Sequence, residues 1–124
     1  MTSTKPIDDD PDVNRHDPDW EVTACEASGM KATEGVVMLD YRTDDERLVA
    51  SIDGAIGIPM NELGNRLDEL RDLDSETLIV FCHHGQRSLR VTAALRSAGF
   101  DDVRSMAGGI DRWSELIDQS VPRY

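Results

Sequence analysis

The stretch Leu78-Ile79-Val80-Phe81-Cys82-His83-His84-Gly85-Gln86-Arg87-Ser88 decides how this chain is read. Its first four residues form an unbroken apolar run, the pattern of a strand covered on both faces in a parallel sheet. Upstream, Val36-Val37-Met38-Leu39 repeats that pattern. Downstream the period turns helical: Val91, Ala94, Leu95 and Ala98 share one face, and Gly99 offers a left-handed stop with Phe100 placed to pack back. Working outward, strands are predicted at Trp20–Thr23, Val36–Tyr41, Ala55–Ile58, Thr77–Cys82 and Asp102–Met106. Helical stripes run through Leu63, Leu67 and Leu70 and through Ile110, Trp113 and Ile117. Alternating strands and helices with short loops predict one three-layer α/β domain over residues 20–124.

The chain is 124 residues long with 25 acids against 13 bases, a formal charge of −12. Such a field repels phosphate backbones and anionic lipid, so neither nucleic acid nor a membrane surface is an expected partner. No apolar run approaches the roughly 18 residues of a membrane span, and no signal-peptide core is present at the N-terminus. Cys25 and Cys82 lie too far apart to outline a disulfide framework, so a reduced, cytoplasmic protein is expected. Residues 1–19 hold Pro6, Pro11, Pro18 and six aspartates but few large apolar side chains. Such a segment cannot bury enough surface to offset its ordering entropy and reads as a mobile acidic tail.

In a parallel α/β sheet, ligands gather beyond the carboxyl ends of the strands. Two such ends carry polar chemistry: Leu39-Asp40-Tyr41-Arg42, and the loop from Phe81 to Ser88. The second puts Cys82 on the last residue of a buried strand, followed by a five-residue loop and a helix starting near Ser88. A cradle of loop N–H groups and the positive end of that helix both favour a thiolate. Charge patterning agrees. From Thr77 to Phe100 there is no acidic residue, while Arg87, Arg90 and Arg96 give the window a charge of +3. An otherwise anion-repelling chain has one place that tolerates a small anion.

Cys82-His83-His84-Gly85-Gln86-Arg87-Ser88 resembles the C-x-x-G-x-R-S active-site loop of rhodanese-like sulfurtransferases. Leu39-Asp40-Tyr41-Arg42 is similar to that family's D-V-R strand end, Gly54-Ala55-Ile56-Gly57-Ile58-Pro59 to its G-A-x-x-I-P, and Gly108-Gly109-Ile110-Asp111-Arg112-Trp113 to its G-G-x-x-x-W. The end of the chain, Trp113 to Tyr124, resembles rhodanese domains fused to adenylyltransferases that activate sulfur carriers. Against the family pattern, Tyr41 stands where Val is usual, Arg47 where an aromatic is common, and Ala50-Ser51 where Gly-His is frequent.

The resemblance implies a mostly parallel five-stranded sheet flanked by helices, and a sulfurtransferase working through a Cys82 persulfide. The donor would be thiosulfate or a persulfide-carrying protein, the acceptor a thiol, cyanide or a sulfur-carrier protein, with no cofactor. In that scheme Cys82 is the nucleophile. Backbone N–H groups from His83 through Ser88 stabilise the outer sulfur. Arg87 orients an anionic donor or closes the loop onto a carboxylate, and Gly85 supplies a backbone shape that a Cβ forbids. His83, His84 and Gln86 form the rim. Related phosphatases carry a C-x5-R loop; the C-x4-R of Cys82 to Arg87 is too small for phosphate.

Blander assignments fit other residues. Cys25 reads as a structural or incidental side chain of the first helix. His83 and His84 beside Cys82 do not make a metal site, since consecutive residues rarely aim at one tetrahedral centre. Asp40 and Arg42 are supporting candidates that tie loops together by hydrogen bonds. Gly108-Gly109 matches no nucleotide loop and reads as a tight lead-in to the last helix. The competing functional class is a non-catalytic interaction or regulatory module that keeps the loop but docks on a sulfur-carrier activation partner.

Overall fold

The computed structural model describes residues 20–59, 61–73, 76–84 and 86–123, so the predicted tail and Gly85 lie outside the described residues. Five strands form the sheet: β1 (Glu21–Val22), β2 (Val36–Asp40), β3 (Ile56–Gly57), β4 (Thr77–Phe81) and β5 (Val103–Met106). Every pairing is parallel and the spatial order is β1-β5-β4-β2-β3. The expected sheet is therefore present and wholly parallel, with each predicted strand shorter at one or both ends. Trimming has local causes. Thr23 leaves β1 to become the N-cap of α1 (Ala24–Lys31), where its side chain and that of Glu26 cap each other's backbone N–H. Cys82 leaves β4 because its carbonyl bonds to the Ile110 N–H at 2.9 Å rather than to a neighbouring strand.

Side-chain alternation along the strands builds two cores. Met38, Ile79, Phe81 and Met106 face α1 and α5 (Gly109–Leu116), meeting Ala27, Ile110 and Trp113. Leu39, Leu78, Val80 and Val103 face the other way, meeting Leu70, Val91 and Leu95 of α3 (Leu67–Asp72) and α4 (Gln86–Ser97). All five residues of β4 are buried, as its apolar run requires, because the strand sits at the centre of the sheet with helices on both faces. At the end of α4, Gly99 has φ +101°, and the Phe100 and Gly99 N–H groups bond back to Leu95 and Arg96 carbonyls. This is the Schellman ending anticipated from Gly99-Phe100, with Phe100 against the second core.

The Leu63-Leu67-Leu70 stripe is not one helix. A 3₁₀ turn covers Leu63–Asn65, Arg66 is off-helix at φ −120°, ψ 17°, and α3 begins at Leu67. Gly64 and Asn65 are poor helix formers, while the leucines reach the same core from either side of the break. A further short helix, α2 (Asp44–Val49), has no buried residue and hence no periodic apolar signal. It is set by a capping box in which Thr43 and Glu46 serve each other's backbone N–H. Among the described residues no helix is long and apolar enough to cross a membrane.

Candidate active site

The site lies where β2 and β4 end. Register pairs Asp40 with Phe81, so Tyr41 and Cys82 come next, side by side on adjacent strands. Alternation sends Phe81 toward α5 and therefore Cys82 toward α4. The sulfur meets the first turn of α4 there: the Ser88 N–H donates to Sγ at 3.4 Å, and the Ser88 hydroxyl lies 3.6 Å away. The predicted start of this helix near Ser88 is corrected to Gln86. The physical reason is capping. Ser88 is the third helical residue, its N–H has no carbonyl of the helix to accept it, and the cysteine sulfur takes that place. Cys82 is 1% exposed and Ser88 fully buried.

A second strand supports the arrangement from below. Ser105 of β5, buried, shares a 2.7 Å hydrogen bond between hydroxyls with Ser88, and Thr92 bonds to the Ser88 carbonyl at 2.8 Å. Neither residue stands out in the sequence. Ser105, on the same face of its strand as the buried Val103, is the available signal, since a buried hydroxyl needs a partner.

The loop backbone is oriented by α5. Ile110 and Asp111 N–H groups, in the first turn of that helix, donate to the Cys82 and His83 carbonyls at 2.9 and 3.2 Å. In a trans peptide the N–H points opposite to the C=O, so the His83 and His84 N–H groups are turned away from α5. Such close packing requires Gly109. Its φ is +61°, and a Cβ there would lie 2.3 Å from the Cys82 carbonyl oxygen and 2.4 Å from that of His83. The Gly108-Gly109 pair is thus a tight lead-in to α5, and it is also the seat on which the cysteine loop rests.

Arg87 is bonded to a carboxylate of α2. Its Nη1 and Nη2 each donate to the Glu46 carboxylate at 3.0 Å, a bidentate pair that ties the loop to α2. Glu46 was missed in the sequence; the Thr43-Asp44-Asp45-Glu46 capping pattern was the signal for it. The +3 window is corrected as well. Arg96 sits at the far end of α4, bonded to the Val103 carbonyl at 2.9 Å with its guanidinium over the Trp20 ring. Arg87 is compensated by Glu46, so nearness in sequence overstated the positive charge at the cysteine.

Asp40 and Arg42 form a buried ion pair, 1% and 0% exposed, with the guanidinium on both carboxylate oxygens at 2.9 and 2.6 Å. Arg42 also donates to the Glu46 and Ala50 carbonyls at 3.3 and 2.6 Å, which ties the C-terminal turn of α2 and its cap to β2. Arg47 lies 3.8 Å from Asp40. Half-buried Tyr41 packs on the second core. Burial pushes its phenol above the ordinary value; Arg87 opposes the rise and Cys82 adds to it, so the ring shares the electrostatic environment of both.

On the rim, His83 and His84 stack with centroids 4.0 Å apart, and His84 Nδ1 lies 3.9 Å from Asp111. Arg123 holds Asp111 through contacts of 2.8 and 3.1 Å, which keep that carboxyl below its ordinary range against the opposing effect of burial. Gln86 is exposed. Cys25 is partly exposed on α1. Among the described residues no three His, Cys, Asp or Glu side chains are grouped to hold a metal.

Comparison with known proteins shows the family. The rhodanese-like domain model matches residues 23–116. The chain is 30% identical over 94 residues to the adenylyltransferase and sulfurtransferase UBA4 of Meyerozyma guilliermondii, covering 71% of this chain and 22% of that protein, so it spans about a quarter of that relative's length. It is 30% identical over 106 residues to the human thiosulfate:glutathione sulfurtransferase, covering 76% of this chain and 92% of that one. The solved human single-domain sulfurtransferase TSTD1 superposes with a TM-score of 0.67 at 29% identity, over 77% of this chain and 95% of that one. The chain belongs to the rhodanese-like domain family.

Proposed function

We propose that this chain is a sulfurtransferase that carries a sulfane sulfur on Cys82. The observation that supports the reading is the Ser88 N–H on Sγ at the first turn of α4, with the loop carbonyls drawn off toward α5. Helix polarity and the Ser88 N–H favour the negative charge that the outer sulfur carries during transfer. In the first half-reaction the Cys82 thiolate attacks the donor's outer sulfur. A bond forms from Sγ to that sulfur, the donor's S–S bond breaks, and its electron pair leaves with the donor as sulfite or a thiolate. In the second, an acceptor thiolate or cyanide attacks the outer sulfur of Cys82–S–S⁻ and restores the thiolate.

The Asp40–Arg42 pair acts at one remove, holding the C-terminal turn of α2 and hence Glu46 and Arg87. Sulfur transfer from thiosulfate or glutathione persulfide to cyanide, followed as thiocyanate, tests the reading. Wild type is expected to turn over and Cys82→Ser to be inactive. Equal rates for the two proteins would reject a role for the cysteine and favour the docking module.

A further inference from the structure

Resting on the sulfurtransferase reading, the inference concerns which donor the site accepts. The guanidinium fork of an arginine is the side-chain geometry best matched to an oxyanion such as a sulfonate. Here the two terminal nitrogens of that fork are on Glu46, each at 3.0 Å. Glu46 is not placed by Arg87 alone. Its Oε1 also receives the Thr43 N–H and hydroxyl, both at 3.3 Å, and its own N–H donates to the Thr43 hydroxyl at 3.2 Å. Its carbonyl accepts from buried Arg42. Backbone and side chain are both anchored, so the carboxylate is a built part of the rim, 20% exposed beside an Arg87 that is 32% exposed. Asp44 and Asp45 occupy the same helical turn and add to the negative charge there.

We propose that Glu46 determines donor class: by occupying Arg87 it disfavours dianionic thiosulfate and favours a persulfide carried on a thiol. Thiosulfate brings two negative charges and, as sulfite leaves, keeps both on the departing group. To use the Arg87 fork it must displace an anchored carboxylate or lie beside it. A thiol persulfide brings one charge or none on its sulfane sulfur, and its thiolate leaving group departs on a carrier whose other groups contact the rim. Discrimination here comes from a repulsive element as much as an attractive one.

Glu46→Gln is the test, because glutamine keeps the capping box while removing the charge. Initial rates to cyanide are measured with thiosulfate and with glutathione persulfide as donors, for wild type and variant, at low and high salt. Losing the charge partner of Arg87 is expected to lower the thiosulfate KM about tenfold, the scale of one charge-assisted hydrogen bond, while the persulfide KM changes less than about twofold. The thiosulfate gain should shrink as salt rises. An unchanged thiosulfate KM, or equal shifts for both donors, would overturn the assignment of Glu46 while leaving Cys82 chemistry standing. Failure of both donors on wild type would overturn the sulfurtransferase reading and this inference with it.

Discussion

Gly109→Ala probes the seat of the cysteine loop and can be worked through from the structure. At φ +61° an alanine accepts left-handed strain of about 1–2 kcal/mol. Its Cβ would also stand 2.3 Å from the Cys82 oxygen and 2.5 Å from the His83 carbonyl carbon, so the loop and α5 must separate by about 1 Å to reach ordinary contact. A shift of that size breaks the Ile110–Cys82 and Asp111–His83 hydrogen bonds, each worth about 0.5–1.5 kcal/mol. Together the loss is about 2–5 kcal/mol, a large share of the about 5–15 kcal/mol by which a small domain is stable. Gly99→Ala is the matched control: φ is +101°, yet nothing lies within 4 Å of the added Cβ, so only backbone strain applies. Urea unfolding of both variants gives the two losses from the shift in midpoint at constant slope. Gly109→Ala is expected to cost more than Gly99→Ala by at least about 1 kcal/mol and to change the rate at which a small alkylating reagent reaches Cys82. Equal destabilisation with an unaltered alkylation rate would refute the claim that α5 positions the loop.

Other outcomes follow from the same structure. Arg42→Met strips the buried Asp40 carboxylate of its bidentate partner, leaving Arg47 at 3.8 Å, and removes the donors to the Glu46 and Ala50 carbonyls, so a loss of about 3–5 kcal/mol in urea unfolding is expected. Restoring apolar balance with Asp40→Leu in the same chain should recover much of it; no recovery would show that loop tethering dominates. Asp111 has a folded-state pKa lowered by Arg123, so its contribution is complete above the unfolded value of about 3.9 and is lost as pH falls through the folded one. Wild type should therefore lose more stability than Asp111→Asn between about pH 5 and about pH 2, and parallel curves would contradict this. For Tyr41, whose pKa is raised by burial, the unfolded chain ionises first, so stability falls as pH climbs past about 10. Tyr41→Phe should remove that alkaline loss.

Legibility in the sequence followed the range of the interactions. The continuous apolar runs of β2 and β4 and the Gly99-Phe100 stop are local patterns, and each lies where it was expected; Cys82 follows β4 directly, while the helix after it starts at Gln86 rather than near Ser88. What escaped was assembled by topology. Glu46 reaches Arg87 across 41 residues, from a helix with no apolar stripe to announce it. Ser105 meets Ser88 only because β5 is laid beside β4. Arg96 counted toward the positive window by position, but the length of α4 carries it to the other end of the domain. Gly109 was legible as a turn former, whereas its fit against the Cys82 carbonyl depends on how α5 crosses the ends of the strands.

Intact mass after a single incubation with a sulfur donor tests the central claim most directly. Wild type treated with glutathione persulfide, and with thiosulfate at higher concentration, should gain the mass of one sulfur atom, located by fragmentation on Cys82. That mass should disappear when cyanide is added, and Cys82→Ala should gain none. A wild-type chain that takes up no sulfur from either donor, or takes it up equally without Cys82, would contradict the account.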